Sequence, residues 1–334
     1  MQGEGFVLPG RDRVPSIFGA TALFFFAVIG KELTGYIVDG ARLFLSLFVY
    51  NIPESFHSAA YSFVYYFFFI ILPLSVYAGR HPGIGEYIRV HRVRSKISLL
   101  CVLAAVPLVY FSSYVTSFWY LLITAFGGSI EGPVQTIPQT TGQLLGALLT
   151  DALLPGVCEE LLFRGALLSA WEVKGSKKAI VIVTVLFMLI HGSVTGMVSE
   201  VIGGIVMGIV AVSTESIFPG MLIHAVYNGF ITVIRYIGRN DVEAEAYPQL
   251  TYFEQLGGMG GVIALLMKTL IAGAILVLIL KRVDSFRQGR PFGVKAVEGE
   301  PRSIRTTVIL TCSVIAALVM YGYDFNYVLG WVKP

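Results

Sequence analysis

The sequence predicts an all-α, polytopic transmembrane bundle of about eight to nine spans, and three observations predict it. Of the 334 residues, 55% are hydrophobic and only 13% are charged, against about 25% charged in a soluble domain. Successive apolar runs approach the ~20 residues a helix needs to cross a bilayer. The alternating strands of about ten residues that mark a transmembrane barrel are missing. The net charge of +3 is small, and no nucleic-acid partner is expected. Cys101, Cys158 and Cys312 each fall in an apolar run without CxxC spacing, so they read as buried small hydrophobes.

Residues 16–30 form a short apolar run after Arg11 and Arg13, with no convincing cleavage site behind it, and are kept as a mature segment. This run either joins the apolar piece at 33–50, which Asp39 and Arg42 interrupt, or leaves that piece in the interface. Residues 57–77 are a strong span whose Tyr and Phe at 61–70 are expected to face lipid or the interface. Residues 79–96 carry Arg80, Arg89, Arg92, Arg94 and Lys96 and belong in the cytoplasm by the positive-inside rule. A long span at 97–126 and a polar non-cytoplasmic loop at 127–142 with Pro133 and Pro138 follow.

After the apolar stretch at 142–171 comes a cytoplasmic turn with Lys174, Lys177 and Lys178 around Gly175. Residues 179–191 run back, and 194–212 return with Gly204 and Gly208 spaced for close helix packing. Pro219 suits the first turn of a helix reaching about 237. The acidic loop at 239–256 lies outside, 260–280 span, the basic loop at 281–305 lies inside, and 306–323 are the last span. Six spans separate the two large basic loops, and an even number returns both to one side.

The stretch 151–171, DALLPGVCEELLFRGALLSAW, holds Glu159, Glu160 and Arg164 within six residues of otherwise apolar sequence. An ionisable group at membrane depth costs at least a few kcal/mol and is usually functional. Glu160 and Arg164 stand at i and i+4, where a carboxylate meets a guanidinium, whereas Glu159 is turned about 100° away. One glutamate therefore holds the arginine and the other faces a neighbouring helix. Pro155 and Gly156 predict a kink or restart just before them.

His57, His81 and His91 fall at segment ends or in loops, but His191 and His224 lie within apolar spans. Glu159 precedes Gly175 by 16 residues and His191 follows it by 16, so antiparallel helices place both about 24 Å from the turn. His224 is only six residues into its helix, about 9 Å deep, and fits this plane less well; Asn228 shares its face one turn on. A carboxylate beside an imidazole can take a proton from water, and a second histidine with an asparagine can donate to an oxyanion. These are parts for amide hydrolysis. A glutamate and two histidines are also three possible zinc ligands, so a metal at Glu159, His191 and His224 stays open, although the expected cofactor is none. Phe187 reads as packing, and Glu200 as an isolated carboxylate facing a loop or cavity.

The ordered set Glu159-Glu160-xxx-Arg164, Phe187-xxx-His191 and His224-xxx-Asn228 resembles the CPBP family. That family comprises CAAX prenyl endopeptidases together with bacteriocin-processing or Abi proteins. The resemblance covers roughly 142–238 and implies an intramembrane glutamate protease. It implies that Glu159 and His191 activate water, that His224 and Asn228 form the oxyanion hole, and that Glu160 and Arg164 position the site. The substrate it implies is a membrane-associated or lipidated protein.

Three regions are expected: accessory helices at 1–127, the catalytic core at 128–240 and further accessory helices at 241–334. No HExxH zinc motif is present, Gly322-Tyr323-Asp324 only approaches GxGD, and Ser193 lacks a rhomboid context. The rivals to a protease are a non-catalytic scaffold or immunity protein of the same fold and a proton-coupled transporter, the latter without a visible inverted repeat. The protein is expected to be an integral multi-pass protein, with a bacterial plasma membrane ahead of an endoplasmic reticulum as its location.

Overall fold

The structure is a computed structural model describing residues 16–49, 54–80, 84–130, 137–240, 251–287 and 303–329. His81, Pro133, Asp241, Glu243, Glu245 and most of the basic loop before Arg305 lie outside the described residues. Among the described residues all regular structure is helical.

The first helix, α1 (Ile17–Ser46), is continuous. The two N-terminal apolar pieces are therefore one long helix, with Lys31 and Glu32 at the junction. α2 (Glu54–Val64) runs through a π-helical stretch (Tyr65–Ile71) into α3 (Leu72–Gly79), and a short α4 (Ile84–Tyr87) precedes α5 (Ser95–Ala125). α6 (Thr141–Ala147), α7 (Leu154–Glu160) and α8 (Leu168–Trp171) form one irregular rod, joined by π-helical stretches at Leu148–Leu153 and Leu161–Leu167. α9 (Ser176–His191), α10 (Met197–Thr214) and α11 (Phe218–Ile237) follow. A short α12 (Tyr252–Gln255) leads to α13 (Gly258–Asp284) and α14 (Ile304–Val328).

Six helices among the described residues are long and apolar enough to cross a membrane: 17–46, 56–79, 95–125, 197–214, 258–287 and 304–328. The rod at 141–171, α9 and α11 are not among the six, and the expected total of eight to nine spans requires them. These same three segments carry the motif residues.

α5 packs against α10, α11 and α13, and α14 packs against α1 and α9. α9 and α10 approach closely because Gly204 and Gly208 leave room. A Cβ there would stand 2.8 Å from Thr184 and 3.0 Å from Ile180. Gly156 does the same between the rod and α11, since its Cβ would meet the Ala225 backbone at 2.9 Å. The core runs through Phe24, Leu108, Phe163, Leu167, Phe187 and Ile223.

Hydrogen bonds gather the loops at two ends. At one end Arg89 pairs with Glu172, the Ile217 amide donates to the Arg89 carbonyl at 3.1 Å, and Ser216 Oγ donates to the His91 carbonyl at 2.6 Å. Arg89 adopts a left-handed backbone with φ 60°, which a non-glycine residue seldom does. Ser213 brings the end of α13 to the same place by donating to Asp284 at 2.8 Å. At the other end Trp119 Nε1 donates to the Val194 carbonyl at 2.8 Å, the Val194 amide donates to Asp324, and the Ser129 amide donates to the Val328 carbonyl at 2.6 Å. Asp324 therefore has a local structural partner. This alternation agrees with the loop charges.

Two expectations need correcting. The aromatic run at 61–70 does not face lipid as a whole: Phe63, Phe67 and Phe68 are exposed, whereas Tyr65 is buried and Tyr66 points into the site. The wide π-helical turn rotates successive side chains differently from an α-helix and lets both sets coexist. Cys101 and Cys158 are buried, but Cys312 is exposed on the outer face of α14.

Candidate active site

The rod passes from π-helix to α-helix where Pro155 sits, in the first turn of α7. Proline has no N–H, so in regular helical register the Asp151 carbonyl loses its partner. Asn228 Nδ2 on α11 donates to that carbonyl at 3.0 Å. The proline thus creates an acceptor that a polar residue of another helix fills. Wide π-helical turns on either side of α7 accompany this irregularity, as they often do at functional sites.

Glu160 and Arg164 form the expected i, i+4 pair at 2.6 Å, with both side chains almost wholly buried. Arg164 also donates to the Gly204 carbonyl at 3.3 Å, and its guanidinium lies 4.4 Å from the centre of the Phe187 ring. His224 Nδ1 donates to the same Glu160 oxygen at 3.1 Å. Glu160 therefore anchors the rod to α10 and α11. Phe187 packs edge-on to Phe163 with ring centres 5.0 Å apart, and lies 4.8 Å from His191 and 6.0 Å from His224. It sets the spacing between the imidazoles.

Glu159 faces the other way. Its Oε1 accepts from Tyr66 Oη at 2.8 Å. Its Oε2 is buried without a hydrogen-bond partner, 3.9 Å from His191 Nε2 and 4.0 Å from His224 Nε2. The equal spacing of Glu159 and His191 about Gly175 thus corresponds to a meeting of side chains. His191 Nδ1 donates to the Phe187 carbonyl at 2.7 Å, which leaves Nε2 turned to the carboxylates. His224 reaches the same plane because α11 starts inside the protein. The turn before it, Ser216 and Ile217, is wholly buried beneath the Arg89–His91 segment.

A cavity of about 300 Å³ opens on these groups, and Glu159, His191, His224 and Asn228 all line it. Three further residues take part that the motif pattern does not contain. Glu200 in the first turn of α10 places Oε2 3.4 Å from His191 Nε2, so the apparently isolated carboxylate faces the cavity. Tyr66 comes from the aromatic run. Lys31 of α1 donates to the last carbonyls of α9, Ile190 at 2.7 Å and His191 at 3.0 Å, and caps the helix just before Gly192 turns left-handed at φ 66°. The signal for Lys31 was an ion at membrane depth once 16–46 is read as one helix.

Among the described residues no group of three His, Cys, Asp or Glu is arranged to hold a metal. Zinc bonds of about 2.1 Å place tetrahedral ligand atoms about 3.4 Å apart, closer than Glu159 Oε2 stands to either imidazole.

No curated protein and no solved structure gives a match to the chain. Residues 141–230 match a family model described as type II CAAX prenyl endopeptidase Rce1-like, and the match takes in all six motif residues together with Phe187 and Glu200. That family is one of membrane-embedded proteases. Residues 141–230 are therefore similar to an Rce1-like domain, and helices long and apolar enough to cross a membrane precede and follow them.

Proposed function

We propose that the chain is an intramembrane endopeptidase that hydrolyses a peptide bond in a membrane-associated or lipidated protein. The observation that carries this reading is the convergence of Glu159 Oε2 and the Nε2 atoms of His191 and His224, at 3.9 and 4.0 Å, on one cavity. Polar atoms at that separation suit a shared water. The Rce1-like match supports the reaction class, and its description makes a prenylated C-terminal peptide a sensible first probe.

Glu160 pairs with Arg164, Glu200 stands beside His191, and Lys31 holds the end of α9. Glu160 accepts from His224 Nδ1 and so favours the imidazolium at His224, whose Nε2–H can then donate to an oxyanion. Asn228 uses one amide hydrogen on Asp151 and has a second for the same oxyanion.

Glu159 takes a proton from the attacking water as the carbon–oxygen bond forms. His191, with its Nε2 lone pair free, carries that proton onward, and Glu200 beside the same nitrogen receives it. That proton passes to the amine nitrogen as the carbon–nitrogen bond breaks, so the amine leaves protonated and Glu159, His191 and Glu200 return to their starting states. Glu160 and Arg164 hold the frame.

The test is cleavage of a panel of membrane and prenylated peptides by purified protein, with and without chelator, beside Glu159→Gln, His191→Ala and Glu200→Gln. General acid–base groups contribute about 10²–10⁴-fold, so the first two variants are expected to lose at least ~100-fold in kcat and Glu200→Gln ~10-fold, with the chelator inert. Full cleavage by Glu159→Gln would sink the proposal. Loss with chelator, restored by zinc, would replace the metal-free mechanism.

A further inference from the structure

We infer that a groove between α9, α10 and α13 binds a phospholipid with an anionic headgroup. The groove is separate from the catalytic cavity, and the inference does not rest on the proteolytic reading.

The Arg89–Glu172 pair and the Ser213–Asp284 hydrogen bond gather segments rich in Lys and Arg at one end of the bundle, the basic end. There α9 and α13 both pack on α10. Between them opens a cavity of about 390 Å³, lined by Lys177, Ile180, Ile209 and Asp284.

The lining is ordered by depth. Lys177 lies in the first turn of α9, and Asp284 is the last residue of α13, so the polar groups stand at helix ends. Ile180 lies three residues beyond Lys177, and Ile209 five residues before the end of α10. Both are therefore about 5–8 Å farther in. A polar lip over an apolar floor matches the order of a phospholipid, with its headgroup outermost and its chains within.

Charge selects the headgroup. Lys177 is exposed and has no hydrogen bond or ion pair among the described residues. Asp284 shares the lining but is already engaged: Ser213 Oγ donates to it at 2.8 Å and Arg287 at 2.6 Å. Glu172 is likewise held by Arg89 and Ser176. The helix ends that frame the groove, 172–178, 209–217 and 281–287, carry six Lys or Arg against three Asp or Glu. Basic pockets between membrane helices recognise anionic headgroups. The positive-inside pattern accounts for basic loops, but not for an unpaired lysine set over a floor of isoleucines. An anion carried on acyl chains meets both parts of the groove.

The test is native mass spectrometry of the purified full chain in neutral detergent, titrated with phosphatidylglycerol or with phosphatidylcholine of the same chains. One lysine beside an anionic headgroup contributes about fivefold in affinity. Phosphatidylglycerol is therefore expected to bind at least ~5-fold more tightly than phosphatidylcholine, and Lys177→Gln to remove that preference. Lys178→Gln changes a neighbouring lysine that does not line the groove, and is expected to keep the preference within about twofold. Ile209→Trp fills the floor and is expected to weaken both lipids. Equal binding of the two lipids by wild type, or an unchanged preference in Lys177→Gln, would overturn the site. An equal loss in Lys178→Gln would overturn it in favour of diffuse charge attraction, and unchanged affinities in Ile209→Trp would remove the chain from the groove. Soluble glycerol phosphate at the same concentration is expected to leave the lipid bound; displacement would overturn the lipid as occupant.

Discussion

The segments that carry the motif and the helices that surround them are built differently. α1, α5, α13 and α14 are long, regular and apolar, and they meet the requirements of a bilayer by length and composition. The 141–171 rod, α9 and α11 are shorter or irregular, and they hold Glu159, Glu160, Arg164, His191, His224 and Asn228. The difference teaches that the polar cluster is tolerated because other helices enclose it. The enclosing helices also reach inward: Lys31 and Tyr66 lie outside the 141–230 match, yet both bind the site's backbone or its central carboxylate. The motif supplies the polar groups of the cavity, and the surrounding helices orient them.

The strongest way to break this comparison is Arg164→Ala. Removing one partner of a buried ion pair costs about 3–5 kcal/mol, and Glu160 would lose its anchor to Arg164 while still holding His224. The variant is expected to melt well below wild type in detergent, by thermal unfolding. An unchanged melting point would mean that the pair adds nothing to the packing of the rod on α10.

Asn228 sharpens the comparison, because its amide serves a carbonyl that Pro155 frees. Asn228→Ala is expected to lower kcat about 100-fold if its second hydrogen meets an oxyanion. Pro155→Ala restores an N–H for Asp151. Recovery of kcat in the double variant would reduce Asn228 to a structural cap, whereas continued loss would keep it in the reaction.

Tyr66→Phe has the smallest expected effect and bears most directly on the enclosing helices. A hydrogen bond to a charged group is worth about 1.5–3 kcal/mol, and even partial loss would lower kcat about tenfold with KM little changed. Wild-type kcat in this variant would mean that the second helix only fences the cavity.

Much of this site could be read from the sequence. The match in depth of Glu159 and His191 needed only a turn and two straight antiparallel helices. The i, i+4 pairing of Glu160 with Arg164 is local. His224 could not be placed, because its depth depends on tertiary hydrogen bonds that Ile217 and Ser216 donate to the Arg89 and His91 carbonyls, which hold the preceding turn inside. Tyr66 was hidden for another reason. In a helix that is apolar all round, the pattern carries no information about which side faces inward, and a π-helical stretch shifts the phase again. Pro155 and Gly156 foreshadowed a break in the rod, but not the π-helical stretches on both sides of α7.

The loop between α9 and α10 has one more consequence. Trp119 donates its indole N–H to the Val194 carbonyl, three residues beyond His191. Of the chain's three tryptophans, Trp171 lies at the opposite, basic end and Trp331 lies outside the described residues. Trp119 is therefore an optical gauge of the loop that joins His191 to α10. A ligand that shifts the loop would alter its emission, so occupancy could be followed by light without a label or a cleavage product.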